Sequence, residues 1–207
     1  DPEMSRGLGD VYKRQGKGYG EALILEYALE HSLFVHQCDF LVKITGRLKL
    51  LNVNSMIGFH RYILPHCDIQ SEMDRRERYS DSRMLITSKG FLQHSFLARK
   101  ERIDDSKGCN FEHILFTSID EQKDFVFYPF LIRPLWRGIS GTNGREYWEG
   151  NYRSLKLAYF KRMLNCMTEY NMCHPHNKPS MGVRLVLGMA GMAVGTVLRF
   201  FDWIKNE

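Results

Sequence analysis

Residues 40–49 (FLVKITGRLK) constrain the fold of this chain more than any other stretch, because a strand sends successive side chains to opposite faces. Phe40, Val42 and Ile44 share one parity, and Lys43, Thr45, Arg47 and Lys49 share the other. One face is therefore apolar and the other cationic. Shortly before it, residues 21–31 (EALILEYALEH) are good helix formers, with Ile24, Leu25, Ala28 and Leu29 at i, i+1, i+4 and i+5, and Glu26 and Glu30 on the other side. Gly16-Lys17-Gly18-Tyr19-Gly20 precedes that helix as a glycine loop. The order loop, helix, strand is that of an α/β chain.

Further along, residues 84–87 predict a short strand, residues 91–99 and 111–119 predict helices, and residues 125–132 predict an aromatic-rich strand ended by Pro134. The charged run 72–78 is expected to be a solvated loop or helix face. After a turn-rich loop at 138–144, residues 152–170 predict a long helix with Leu155, Tyr159, Met163, Cys166 and Tyr170 on one stripe. No internal repeat is present. The 207 residues, 43% apolar and 26% charged, suffice for one domain with its own core and exclude a disordered tail or low-complexity fibre.

The net charge of +5 suits an acidic small molecule or an anionic lipid surface, and the basic residues are dispersed, so nucleic acid is not an expected partner. Five cysteines at long spacings, without a CxxC pair, signal neither a disulfide framework nor zinc and favour a reducing compartment. Cys166, Cys173, His174 and His176 lack the paired spacing of a metal site and are better explained as a helix end and turn.

Both ends stand apart from the middle. Residues 1–15 (DPEMSRGLGDVYKRQ) have no apolar period and resemble the translated read-through of a sequencing adapter, so they are expected to be a non-native or disordered leader. Residues 16–180 are then the folded domain and residues 181–207 a C-terminal apolar helix. Within the latter, residues 185–198 form a 14-residue run without charge, short of the roughly 18–20 needed to span a bilayer. Gly191 and Gly195 make a GxxxG, with Phe200, Phe201 and Trp203 beyond Arg199. A peripheral membrane contact through 184–203, packing on a partner helix, and a buried terminal helix all fit that pattern.

Several segments carry groups suited to an anionic, hydroxyl-rich ligand. The loop Gly16 to Gly20 opens onto a helix, where free N–H groups and the helix dipole favour a diphosphate, although it fits neither a Walker A loop nor a dinucleotide fingerprint. A central strand would oblige Lys43, Thr45, Arg47 and their neighbours to meet a ligand or a carboxylate, whereas an edge hairpin turning at Thr45-Gly46 would leave the cations in water. Asp81 and Arg83 stand just before an apolar segment. Ser140, Thr142 and Asn143 offer hydroxyls and an amide for sugar or phosphate oxygens, or an ordinary capping turn. There is no GxSxG, no HExxH and no DxD; Asp104-Asp105 falls in a polar turn expected at the surface.

Lys17-Gly18-Tyr19-Gly20-Glu21-Ala22, Lys43-Ile44-Thr45-Gly46-Arg47, Ser80-Asp81-Ser82-Arg83 and Gly138-Ile139-Ser140-Gly141-Thr142-Asn143-Gly144, in this order, resemble segments of bacterial glycosyltransferase-like proteins from capsule and lipopolysaccharide clusters. The resemblance covers about residues 16–147. It implies a GT-A-like, Rossmann-type mixed sheet flanked by helices, N-terminally truncated, with a nucleotide-sugar donor at the strand ends and a glycan or lipid-linked acceptor, in the cytoplasm or at the inner face of the cell membrane. Within that resemblance, Lys43 and Arg47 neutralise the diphosphate, assisted by Gly18, Gly20, Thr45 and Arg83. Asp81 or Glu21 is the candidate base, and Ser140, Thr142 and Asn143 hold sugar or acceptor. Arg47 is expected to matter most, because its fork grips phosphate at two points. No metal ligand is assigned, and a divalent cation (Mn or Mg) stays open as cofactor. The chain departs from the family in lacking a DxD and the first strand and helix that hold the base, and this fragment is expected to be inactive. A non-catalytic membrane-associated protein of a polysaccharide assembly system is the alternative.

Overall fold

A computed structural model describes residues 16–46, 48–130, 132–139, 144 and 146–148. Helix α1 (Lys17–His31) begins at Lys17, so the glycine segment is its first turn and not a loop. Gly16 supports this start with a positive φ of 89°, a conformation that costs little without a Cβ. The N–H of Gly18 donates to Asp105 Oδ2 at 3.2 Å. A carboxylate there meets both an orphan helical N–H and the positive end of the helix dipole. Gly18 is buried, and a Cβ on it would come within 3.0 Å of both Asp105 Oδ1 and the backbone N of Phe111. These glycines therefore let α1 pack closely, and the anion at its N-terminus is the chain's own Asp105. Asp105→Ala is expected to lose about 0.5–2 kcal/mol, as for a lost N-cap, with Asp105→Asn retaining most of it, measured by urea unfolding.

From α1, Ala22 is fully buried while Leu25 and Leu29 pack against the core. Ile24, expected on the same face, is 52% exposed. Glu26 turns to pair with Lys100. A short α2 (Leu33–Gln37), capped by Ser32, leads into strand β1 (Phe40–Ile44).

Strand β6 (Met84–Ser88) pairs antiparallel with β1, Val42 opposite Ile86, and on its other side with β3 (Ile69–Ser71). Strand β7 (Phe127–Pro129) adds in parallel to β3, giving the mixed order β1-β6-β3-β7. The predicted strand over 125–132 thus shortens to three residues, and Pro129 is tolerated because β7 is an edge. A second sheet joins β2 (Leu48–Leu50), β8 (Trp136–Ile139) and β9 (Glu146–Trp148), antiparallel throughout. The charged run forms the tip of a hairpin between β4 (Met73–Asp74) and β5 (Tyr79–Ser80), where Arg75 pairs with Asp120.

Helices cover the first sheet. On one face lie α1, the helical stretch that begins as α4 (Lys89–Phe91) and continues as a π-helical turn (Leu92–Phe96) and a 3-10 stretch (Leu97–Arg102), and α5 (Phe111–Asp120). Phe91, Phe96, Ile103, Phe111, Leu115 and Ile119 fill that side together with Leu85 and Ile69 from the sheet. Met56 and Phe59 of α3 (Val53–Ile63), with Trp136, cover the other face, against Met84, Ile86 and Phe130. Alternation within β6, Leu85 to one cluster and Met84 and Ile86 to the other, is why both layers are apolar.

Among the described residues no helix is long and apolar enough to cross a membrane. The leader at 1–15, the helix expected at 152–170, the group Cys166, Cys173, His174 and His176, and the apolar run 185–198 lie outside the described residues.

Candidate functional site

Strand β1 is an edge by hydrogen bonding, yet both its faces are covered. Phe40, Val42 and Ile44 pack on one cluster and Leu41 on the other, and Lys43 lies on the same side as Leu41. Its side chain is only 11% exposed. A covered ammonium must be paired, and Lys43 pairs with the Glu21 carboxylate, donates to the backbone oxygen of Ser82, and lies 5.3 Å from the centroid of the Phe111 ring. The sequence left a ligand, a carboxylate or water as its partner; the structure provides a carboxylate.

Beyond Lys43 the chain turns, with Leu48 N–H donating to Thr45 O at 3.2 Å. It does not fold back on β1 as the hairpin alternative expects. Strand β2 instead leaves for the second sheet, because Leu48 and Leu50 pair with Gly138 and Trp136. Lys49 is exposed there, so the cationic parity is split between a covered Lys43 and a solvated Lys49. Thr45 N–H donates to Arg83 O at 2.9 Å, which fixes the end of β1 to the start of β6.

Residues 81–83 form a tight anchored turn. Asp81 N–H donates to Glu72 O at 2.7 Å, and Asp81 Oδ1 accepts the N–H of Arg83 at 2.8 Å. Arg83 Nε contacts both carboxylate oxygens, at 3.0 and 2.8 Å, in a forked pair. The guanidinium carbon also lies 5.6 Å from the ring centroid of Trp136, which is buried on β8. Between these two residues, Ser82 is 7% exposed, and its hydroxyl donates to Glu112 Oε1 at 2.6 Å.

Glu21, Lys43, Thr45, Asp81 and Arg83 therefore meet at one end of β1, drawn from three segments of the sequence. Arg47, Ser140, Thr142 and Asn143 lie outside the described residues, and the described neighbours of their segments, Leu48 and Gly138, are partners across β2 and β8. Gly18 and Gly20 are buried in α1, where Gly18 N–H is taken by Asp105. The expected glycine loop is corrected to the first turn of a helix, and one of the N–H groups offered to a phosphate, that of Gly18, already has the Asp105 carboxylate. Glu112, which the sequence reading missed, stands in the first turn of α5 behind the cap Asn110. Its only sequence signal was that of an ordinary helix start.

Two ion pairs, Lys43–Glu21 and Arg83–Asp81, thus flank Ser82, whose hydroxyl reaches a third carboxylate, Glu112, and each cation already carries a carboxylate partner. Phosphate oxygens entering here would exchange with a carboxylate for Lys43 or Arg83 and leave that carboxylate free to accept a proton. Among the described residues no group of three His, Cys, Asp or Glu side chains is placed to hold a metal ion. Elsewhere, Cys67 is buried and its thiol is pushed up to about 12 by that burial, which makes it a packing group and not a nucleophile. The expectation that Asp104-Asp105 is a plain surface turn is refined: Asp104 is held down to about 2 by hydrogen bonding with Lys107 and Ser106, and Asp105 caps α1. The chain matches no family model, no curated protein and no solved structure. The protein is a mixed α/β fold with two ion pairs at the end of an edge strand.

Proposed function

We propose that this chain is part of a GT-A-like glycosyltransferase that moves a sugar from a nucleoside-diphosphate donor to a surface-polysaccharide or lipopolysaccharide acceptor at the inner face of the cell membrane. The observation that carries this reading is the meeting of Glu21, Lys43, Thr45, Asp81 and Arg83 at one strand end, although they span more than sixty positions of the sequence. Phosphate groups sit at strand ends in open α/β sheets. Arg83 supplies the two-point fork and Lys43 a point charge for the diphosphate, and Asp81 or Glu21, released from its cation, takes the acceptor proton. The acceptor oxygen bonds to the anomeric carbon as the bond from that carbon to the phosphate oxygen breaks. The electron pair leaves on the nucleoside diphosphate, where the cations stabilise it.

Calorimetry on the full chain with UDP, GDP, CMP and inorganic pyrophosphate, with and without Mn²⁺, tests this. Pyrophosphate isolates the diphosphate grip from recognition of the base. Arg83→Ala is expected to lower pyrophosphate affinity about 10–100-fold, the loss of a charged hydrogen-bonding partner, and Arg83→Lys to recover part of it. No binding of any of the four ligands would remove the transferase reading and favour the non-catalytic assembly protein.

A further inference from the structure

The turn that carries Asp81 and Arg83 is held from behind by Glu112, a residue of α5 that belongs to none of the motifs singled out in the sequence. Ser82 is buried and sends its two polar groups in different directions: its hydroxyl to Glu112 Oε1 at 2.6 Å, its carbonyl oxygen to the Lys43 ammonium. The hydrogen bond to Glu112 is charge-assisted and short, and therefore among the stronger kinds available to a serine. Glu112 in turn is held in the first turn of α5, where the helix dipole favours a carboxylate and the Asn110 side chain accepts the N–H of His113 at 3.1 Å. A rigid helix end, a buried serine and a covered lysine are thus linked in series. Deleting the Glu112 carboxylate would leave a buried hydroxyl seeking another acceptor, and the peptide that faces Lys43 would be free to turn away.

We propose that Glu112 is a positioning residue for the diphosphate grip, acting through Ser82 to hold the 81–83 turn and the Lys43 ammonium in place. The proposal rests on the phosphate-binding reading for its consequence, but the brace itself has a readout that needs no ligand. Reductive methylation of the ligand-free chain, followed by peptide mass spectrometry, gives the rate at Lys43 relative to the exposed Lys49 in the same molecule. Glu112→Ala and Ser82→Ala are expected to raise the Lys43 rate several-fold toward that of Lys49, and Glu112→Gln, which keeps an acceptor oxygen, to stay near the unsubstituted chain. Pyrophosphate affinity should fall about tenfold in Glu112→Ala and be largely restored in Glu112→Gln. Unchanged Lys43 rates in both alanine variants would overturn the brace, as would a lowered melting temperature with unchanged pyrophosphate affinity. If Glu112→Ala does not fold, Ser82→Ala decides alone. Should the unsubstituted chain fail to bind pyrophosphate, the functional reading falls, and the methylation rates still decide whether Glu112 holds Lys43.

Discussion

Phe111→Ala is expected to lower the unfolding free energy by about 3–5 kcal/mol, the range for truncating a buried aromatic ring, out of the roughly 5–15 kcal/mol that holds a domain together. Phe111 is 1% exposed and opens α5. One side of its ring packs on Phe96, centroids 4.5 Å apart, and the Lys43 ammonium lies 5.3 Å from its centroid. Its backbone nitrogen approaches Gly18 so closely that no Cβ fits between them without a shift. The ring therefore joins three things at once: the helical layer, the close approach of α1, and the floor beneath the ionic cluster. Truncation leaves a cavity that α1 cannot fill by moving inward, because Gly18 already touches the backbone there. Urea unfolding should show a lower midpoint with an unchanged slope, and Phe111→Leu, which keeps most of the volume, should lose less than half as much. A loss below about 1 kcal/mol would mean that the ring is not packed as described.

Much of the fold was legible because its signals are local. Phe40, Val42 and Ile44 alternate with Lys43 in the sequence and separate across the sheet in the structure, and the strand expected at 84–87 and the helix expected at 111–119 each lie within an observed element of nearly the same length. The start of α1 was not legible, since three glycines in five residues look like a turn. What makes them helical is Asp105, supplied from 87 positions away. Strand β4 hides inside the charge run and β5 directly follows it, and neither shows because two residues carry no period. The second sheet was also invisible, for it depends on Leu48 finding Gly138 across ninety positions of chain.

The cluster was legible in its parts and not in its pairings. Each of Glu21, Lys43, Thr45, Asp81 and Arg83 belongs to a short segment that stands out for its chemistry. The Asp81–Arg83 pair is two residues apart and within reach of local reasoning. The pairing of Glu21 with Lys43 needs α1 laid along β1, and the bond from Ser82 to Glu112 needs α5 placed behind the turn, so both are products of packing. Lys43 itself escaped the simple choice between a central and a solvated edge strand. Hydrogen bonding makes β1 an edge, while the helices on one side and Trp136, Met56 and Phe59 on the other cover it.

Breaking the buried pair His60–Gln70 is expected to cost about 1–3 kcal/mol, the second-largest stability effect, because it strands a polar group away from water. The two side chains are 3% and 2% exposed, His60 Nδ1 lies 2.9 Å from Gln70 Oε1, and the His60 ring tilts against Phe40 at 4.6 Å. An amide oxygen only accepts, so Nδ1 carries the proton. Gln70→Leu leaves that N–H without its acceptor and His60→Leu leaves the amide without its donor. The double variant removes both, and should lose less than the sum of the two single variants, a coupling read from a double-mutant cycle in urea. The pair also carries a pH dependence. Burial depresses the His60 imidazole below its ordinary 6.5, against a smaller upward pull from the hydrogen bond to Gln70. In the unfolded chain the ring takes up a proton near 6.5, while in the folded chain it resists until the pH is lower. The stability it contributes is therefore full above 6.5 and is lost as the pH falls through its folded pKa. Between about pH 7.5 and pH 5 the unsubstituted chain should lose more stability than His60→Leu, whose unfolded state has no such proton to gain. Equal losses in the two proteins would show that His60 is not held neutral inside the fold.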